Sequence, residues 1–216
     1  MALSPVDIQT AARDLYNATG DTFFSDAQIN NWMWQACHEL AKKAYLIERI
    51  YSTTTVAGQQ DYAYPANTIA IKRVTYNGKK IKRLTHRGDD AVTLSNQSAT
   101  TSGSVIYYTD FNYTISCRPI PDSALTLQIY SFNDAQAITN TSILEIPVLF
   151  QFDLVDYILF RMYMKDKDPT NGAAHKQLWD EHIKDAISYS KMKKRSDSFA
   201  TVQDEETLPV TIMGEA

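Results

Sequence analysis

Apolar positions recur at helical spacing towards both ends of the chain and alternate in its middle. Near the start, Ser4-Pro5 predicts a helix entry, with serine as N-cap, proline at the first helical position and Asp7 in the first turn, where the helix dipole favours negative charge. Ile8, Ala11, Ala12 and Leu15 form its apolar face, and the helix is expected to stop near Asn17, before Ala18-Thr19-Gly20. Ser25-Asp26-Ala27-Gln28 has capping-box spacing, with Phe24 placed as a hydrophobic staple onto Ile29. The stripe Ile29, Trp32, Met33, Ala36, Cys37, Leu40, Ala41 and Ala44 then predicts a long helix to about Glu48.

From Tyr51 the period becomes alternating, and β-branched and aromatic residues dominate. Strands are expected at Ile50 to Val56, Thr68 to Tyr76, Lys79 to Thr85, Val105 to Tyr108, Tyr113 to Cys117 and Ala124 to Phe132. Tyr62-Ala63-Tyr64 is extended, because the residue before Pro65 avoids the helical region. Asn77-Gly78 is the strongest short hairpin signal in the chain. Arg118-Pro119-Ile120-Pro121-Asp122 lacks two backbone donors, so it is expected at a sheet edge or in a loop. His86 to Gly103 is polar and rich in Asn, Ser and Thr, the composition of a loop.

A second helix pair is expected from Ile146 to about Met192, broken at Asp168-Pro169-Thr170-Asn171-Gly172. In its first half Val148, Leu149, Phe152, Val155, Ile158, Leu159 and Met162 share one helical stripe, while Phe150, Leu154, Tyr157, Phe160, Tyr163 and Met164 occupy much of the remaining circumference. A helix so apolar needs burial on several sides. Its second half is amphipathic, with Trp179, Ile183, Ala186 and Ile187 inward and Lys176, Asp180, Glu181, Lys184 and Asp185 outward. The expected fold is α+β, mainly α: a four-helix bundle of N- and C-terminal helix pairs with a β-meander inserted between them and an extended C-terminal tail. The expected boundaries are 1–49 and 135–192 for the two pairs, 50–134 for the insertion and 193–216 for the tail.

Composition narrows the function. A 216-residue chain with net charge −4 is an ordinary acidic protein rather than a dedicated DNA binder, although a local basic patch stays open. Cys37 and Cys117 fall in unlike contexts and are expected as buried thiols. MALSPVDIQTAARD has no basic region followed by an apolar run, so no signal peptide is expected. The apolar run after Ile146 is shorter than the roughly 20 residues of a membrane span and is interrupted by Gln151, Asp153, Asp156 and Arg161, so no membrane partner is expected.

Three stretches carry a resemblance. They are Phe23-Phe24-Ser25-Asp26-Ala27-Gln28-Ile29-Asn30-Asn31-Trp32, Arg118-Pro119-Ile120-Pro121-Asp122, and Leu144-Glu145-Ile146-Pro147 leading to Leu154-Val155-Asp156-Tyr157 and the break from Asp166 to Asp168. In this order the chain resembles the head-to-tail adaptor proteins of tailed bacteriophages. The resemblance implies a structural protein of the virion neck or tail, assembled in the host cytoplasm. Its implied partners are further copies in a dodecameric ring, the portal protein, a tail or nozzle protein, and DNA that passes without sequence-specific binding. It implies no enzyme activity and no cofactor. Candidate portal contacts are Lys193, Lys194, Arg195, Phe199 and Val202, and candidate inter-subunit residues are Phe150, Tyr157, Phe160 and Met164.

Other readings have less support. His38, His86, His175 and His182 show no metal-ligand spacing, and although His175 and His182 share a helix face they lie about two turns apart, so no metal site is expected. Asp89-Asp90 lacks the surrounding ligands of a calcium loop. The adhesion tripeptide Arg87-Gly88-Asp89 is a chance-length match. Lys191, Lys193, Lys194 and Arg195 complement a helix C-terminus, and alternatively face DNA or an acidic partner. A cell-wall hydrolase would need paired carboxylates, for which Glu39 and Glu48 show no visible partner. A glycan-binding tail module would use Tyr107, Tyr108 and Tyr113, residues that more often pack a sheet.

Overall fold

The computed structural model describes residues 2–20, 22–85, 87 and 102–201, with side chains through residue 193. Its described helices are α1 (Pro5–Tyr16), α2 (Asp26–Ala44), α3 (Leu154–Lys165) and α4 (Pro169–Thr201), with a 3-10 turn at Val148–Phe150. Its strands are β1 (Glu48–Thr54), β2 (Asp61–Ala63), β3 (Thr68–Tyr76), β4 (Lys79–Arg83), β5 (Ser102–Gly103), β6 (Tyr107–Phe111), β7 (Thr114–Arg118), β8 (Ile120–Pro121) and β9 (Thr126–Asn133). The chain divides into two compact units, residues 1–36 with 138–216, and residues 37–137.

The helical unit starts as its capping residues dictate. Ser4 Oγ accepts from Asp7 N, and Asp7 Oδ2 accepts from Ser4 N at 2.8 Å, so both partners of the capping box are engaged. Asn17, left-handed at φ 59°, ends the helix. At the next entry Ser25 Oγ accepts from Gln28 N at 3.3 Å. α3 packs along both α1 and α4. Their buried residues, Ile8, Ala12, Leu154, Val155, Ile158, Leu159, Met162, Trp179, Ile183 and Ala186, account for the spacing seen in the sequence. A buried amide group, Gln9 Nε2 to Asn30 Oδ1 at 2.6 Å and to Asn140 Oδ1 at 2.9 Å, ties α1, α2 and the segment entering the second helix pair.

No four-helix bundle forms; the fold is mixed α+β. A bundle requires all four helices to spend their apolar stripes on one another. α2 does not: from Cys37 onward it belongs to the sheet unit, where His38 Nδ1 lies 2.6 Å from Asp134 Oδ1 and the Tyr45 ring lies 5.3 Å from Phe132. The helix also ends at Ala44, short of Glu48, because Tyr45 turns to φ 53° and strand β1 begins at Glu48. At the other end, residues 193–201, expected in an extended tail, continue α4. Residues 202–216 lie outside the described residues.

The expected meander is also replaced. The seven-stranded sheet runs β1-β9-β3-β4-β6-β7-β2, with β5 and β8 forming a separate parallel pair. β9 pairs with β1 on one side and β3 on the other, and β4 pairs parallel with β6. The physical reason lies in β9 itself: Leu127 and Ile129 are fully buried and Ser131, Phe132 and Asn133 nearly so, which fits a strand covered from both neighbours. Val74, Tyr76, Ile81, Tyr108, Ile115, Cys117, Leu127 and Ile129 form the core of this unit. The Asn77-Gly78 hairpin does form, with φ 48° and 76° at its two turn residues. Cys37 and Cys117 are buried and form no disulfide, and burial pushes the Cys117 thiol up to about 12.

Candidate functional site

In the helical unit, the residues leading into α3 carry the largest departure from the sequence pattern. Pro147 opens a 3-10 turn, and regular α-helix begins only at Leu154. Three residues per turn in place of 3.6, followed by an irregular turn, shift the phase of every side chain before Leu154. Val148, Leu149 and Phe152, expected on the inward stripe, are therefore 51%, 67% and 58% exposed. Phe150 turns inward instead and meets the Tyr189 ring at 5.4 Å. The turn is held by Gln151, whose Nε2 donates to Ile146 O at 3.2 Å and whose Oε1 accepts from Leu3 N at 2.8 Å. The result is three large apolar side chains presented from an anchored turn.

One turn further on, Asp156 receives two imidazoles from α4. His175 Nδ1 lies 3.0 Å from Oδ1 and His182 Nε2 lies 2.9 Å from Oδ2. An ionised carboxylate only accepts, so His175 carries a proton on Nδ1 and His182 on Nε2. His182 Nδ1 also lies 3.6 Å from Asp153 Oδ2. Burial pushes the Asp153 carboxyl above its ordinary value, His182 opposes that, and Asp156 and Asp185 add to it. The His175 ring stacks on Tyr163 at 5.5 Å with 11° between planes. Two histidines seven residues apart thus share a carboxylate from the neighbouring helix, and nothing in the local sequence identifies that partner.

The expected contact residues fall in different places. Tyr157 is buried, with its ring 5.2 Å from Trp179 and its hydroxyl donating to Gln35 Oε1 at 3.3 Å. Phe160 is half-buried, 5.9 Å from Tyr157, and Met164 is 49% exposed. Lys193 is exposed near the end of α4; Lys194, Arg195 and Phe199 are on the helix, but their side chains lie outside the described residues, as does Val202 altogether. Lys165 closes the far end of α3: its Nζ donates to Phe23 O and to Gln28 Oε1 at 2.7 Å and sits 4.1 Å from the Phe23 ring centre.

The alternative chemistries find little footing. Glu39 pairs with Lys43 at 2.6 Å and Glu48 with Lys72 at 3.3 Å, which are ordinary ion pairs. Tyr108 is buried in the sheet core, where its hydroxyl is pushed up to about 12, while Tyr113 is 75% exposed beside Tyr64. Among the described residues no group of His, Cys, Asp and Glu is arranged to hold a metal ion. No described helix is long and apolar enough to cross a membrane. His86 and Asp89-Asp90 lie outside the described residues. The sequence profile described as SU10 adaptor protein matches residues 6–204. No curated protein matches the chain.

Proposed function

The chain belongs to the SU10 adaptor protein family, structural phage proteins that connect portal and tail without catalysis, and from that premise we propose that it works as a closed ring of copies in the virion neck. The observation that carries the ring is the exposed Val148, Leu149 and Phe152 group. Three large apolar side chains on an anchored turn are costly to leave in water, and a neighbouring copy covers them in a repeating, closed arrangement. Phe160 and Met164 extend the same seam. A dodecamer is the proposed number, assembled in the host cytoplasm, with DNA passing along its axis without sequence-specific contact.

The end of α4 and the chain that follows it are the proposed portal contact, through Lys193, Lys194, Arg195, Phe199 and Val202. Native mass spectrometry and electron microscopy of the full chain mixed with its portal test both parts. A closed complex with twelve copies of this chain is the expected result. A chain that stays monomeric and shows no affinity for the portal overturns the proposal. Removal of residues 196–216 is expected to weaken portal docking while leaving the fold intact, and unchanged docking removes the tail from the contact.

A further inference from the structure

Two hairpins of the sheet unit share a turn geometry and differ in the residue that completes it. Between β3 and β4 the turn is Asn77-Gly78, with φ 48° and 76°. Between β6 and β7 it is Asn112-Tyr113, with φ 48° and 60°, closed by Phe111 opposite Thr114. The second, left-handed position is where glycine belongs, and a bulky side chain there is a conformational outlier. The chain therefore keeps a tyrosine where the backbone disfavours one. Burial does not offset that strain, because Tyr113 is 75% exposed and Phe111 beside it is 68% exposed.

The tip is held from the side rather than covered. Tyr64 N donates to Tyr113 O at 2.8 Å, and the two rings meet edge to face at 6.0 Å. The Tyr64 hydroxyl donates to Asp110 Oδ2 at 2.9 Å, and Arg83 forks onto the same carboxylate at 2.7 and 2.8 Å. The two aromatic side chains thus stand on a turn whose backbone is fixed before anything binds, which lowers the ordering cost of a contact.

We propose that the Phe111-Asn112-Tyr113 tip is an anchor that inserts into an apolar recess of the tail protein on which the ring docks. Aromatic side chains on a rigid projection carry much of the binding energy of protein interfaces. From Phe111 to Ser116 there is no charged residue. That disfavours nucleic acid, whose affinity comes from cations that neutralise phosphates, and a lipid surface, which is held by Lys and Arg clusters. Area points to a partner present in many copies. At these exposures the two rings together offer about 300 Å². A stable pair needs roughly 800 Å² on each side. A contact so small holds only when many copies engage at once, as when a ring seats on a tail that presents matching sites. The inference rests on the connector reading and adds which surface meets the tail.

The test measures docking of the purified tail protein of the same phage onto the assembled full chain by biolayer interferometry, with portal docking and light scattering alongside. Tyr113→Gly removes the ring and the strain together, so its melting temperature is expected to hold or rise. Its tail docking is expected to weaken by about 10-fold or more. Phe111→Ser with Tyr113→Gly is expected to weaken docking further, with the ring and portal docking intact. Tail docking by the double variant equal to that of the native chain overturns the proposal and leaves the connector reading standing. A native chain that docks the portal but not the tail protein also overturns it, and one that docks neither overturns the connector reading with it. Loss of the ring in the double variant overturns it in favour of a second copy of this chain as the occupant. Tighter binding of the native chain to phosphatidylcholine vesicles than to the tail protein, lost in the double variant, overturns it in favour of a lipid surface.

Discussion

Asp156 ties α3 to α4 through both of its oxygens, each engaged by an imidazole from the facing helix. Asp156→Ala strands two partly buried N–H donors at once, and is expected to cost about 1–3 kcal/mol of stability in urea unfolding. Asp153, its neighbour, acts in the opposite sense. Its carboxyl is raised above the ordinary 3.8 chiefly by burial, so the native chain holds that proton more readily than the unfolded chain. Its contribution therefore falls as pH rises through the folded value. Asp153→Asn, uncharged throughout, should gain stability relative to the native sequence as pH is raised from about 4 towards neutrality; thermal melts of the two proteins across that range check the sign. Residues such as Ser4, Asp7 and Asn17 were legible in the sequence because a cap involves partners a few positions away. Asp156 was not, since its partners lie 19 and 26 residues on, and only folding brings them within reach.

Elements were legible in proportion to how local their causes are. The Asn77-Gly78 turn forms where its dipeptide requires, and Gly78 at φ 76° has no atom within 4 Å of an added Cβ. Gly78→Ala there meets backbone strain alone, at about 1–2 kcal/mol, and Gly78→Asn, which tolerates the left-handed region, should recover most of that loss in the same melt. Strand order depends on distant pairing instead. β1 finds β9 some seventy residues later, with Glu48 opposite Phe132 and Thr54 opposite Thr126, and alternation within either strand does not name the other. α2 shows the same limit. Its apolar stripe from Ile29 to Ala44 is unbroken, yet Ala36 and Cys37 fall in different units, so an amphipathic pattern marks a buried face without marking what covers it. The misphased entry to α3 is a third case: Val148, Leu149 and Phe152 satisfy a 3.6-residue repeat that the 3-10 turn after Pro147 does not follow.

At the scale of the whole molecule, that misphasing separates assembly from folding. The family assignment was legible from the order of three stretches, and the profile match over residues 6–204 bears it out, but the surface on which copies would meet was expected at Phe150, Tyr157, Phe160 and Met164. Phe150 and Tyr157 are buried within their own unit, so truncating either would test the fold and the ring together. Leu149 and Phe152, at 67% and 58% exposure, allow the two to be told apart. Replacing both by Asp removes apolar surface that the isolated chain leaves in water, and should change the stability of the monomer by no more than about 0.5 kcal/mol per site. At a packed interface the same change buries two unpaired charges, which no ring tolerates. Light scattering and native mass spectrometry of the double variant are therefore expected to show a folded monomer with an unchanged melting temperature. A ring that persists with both aspartates in place would mean that the seam lies elsewhere on the subunit, with Phe160 and Met164 the next residues to replace.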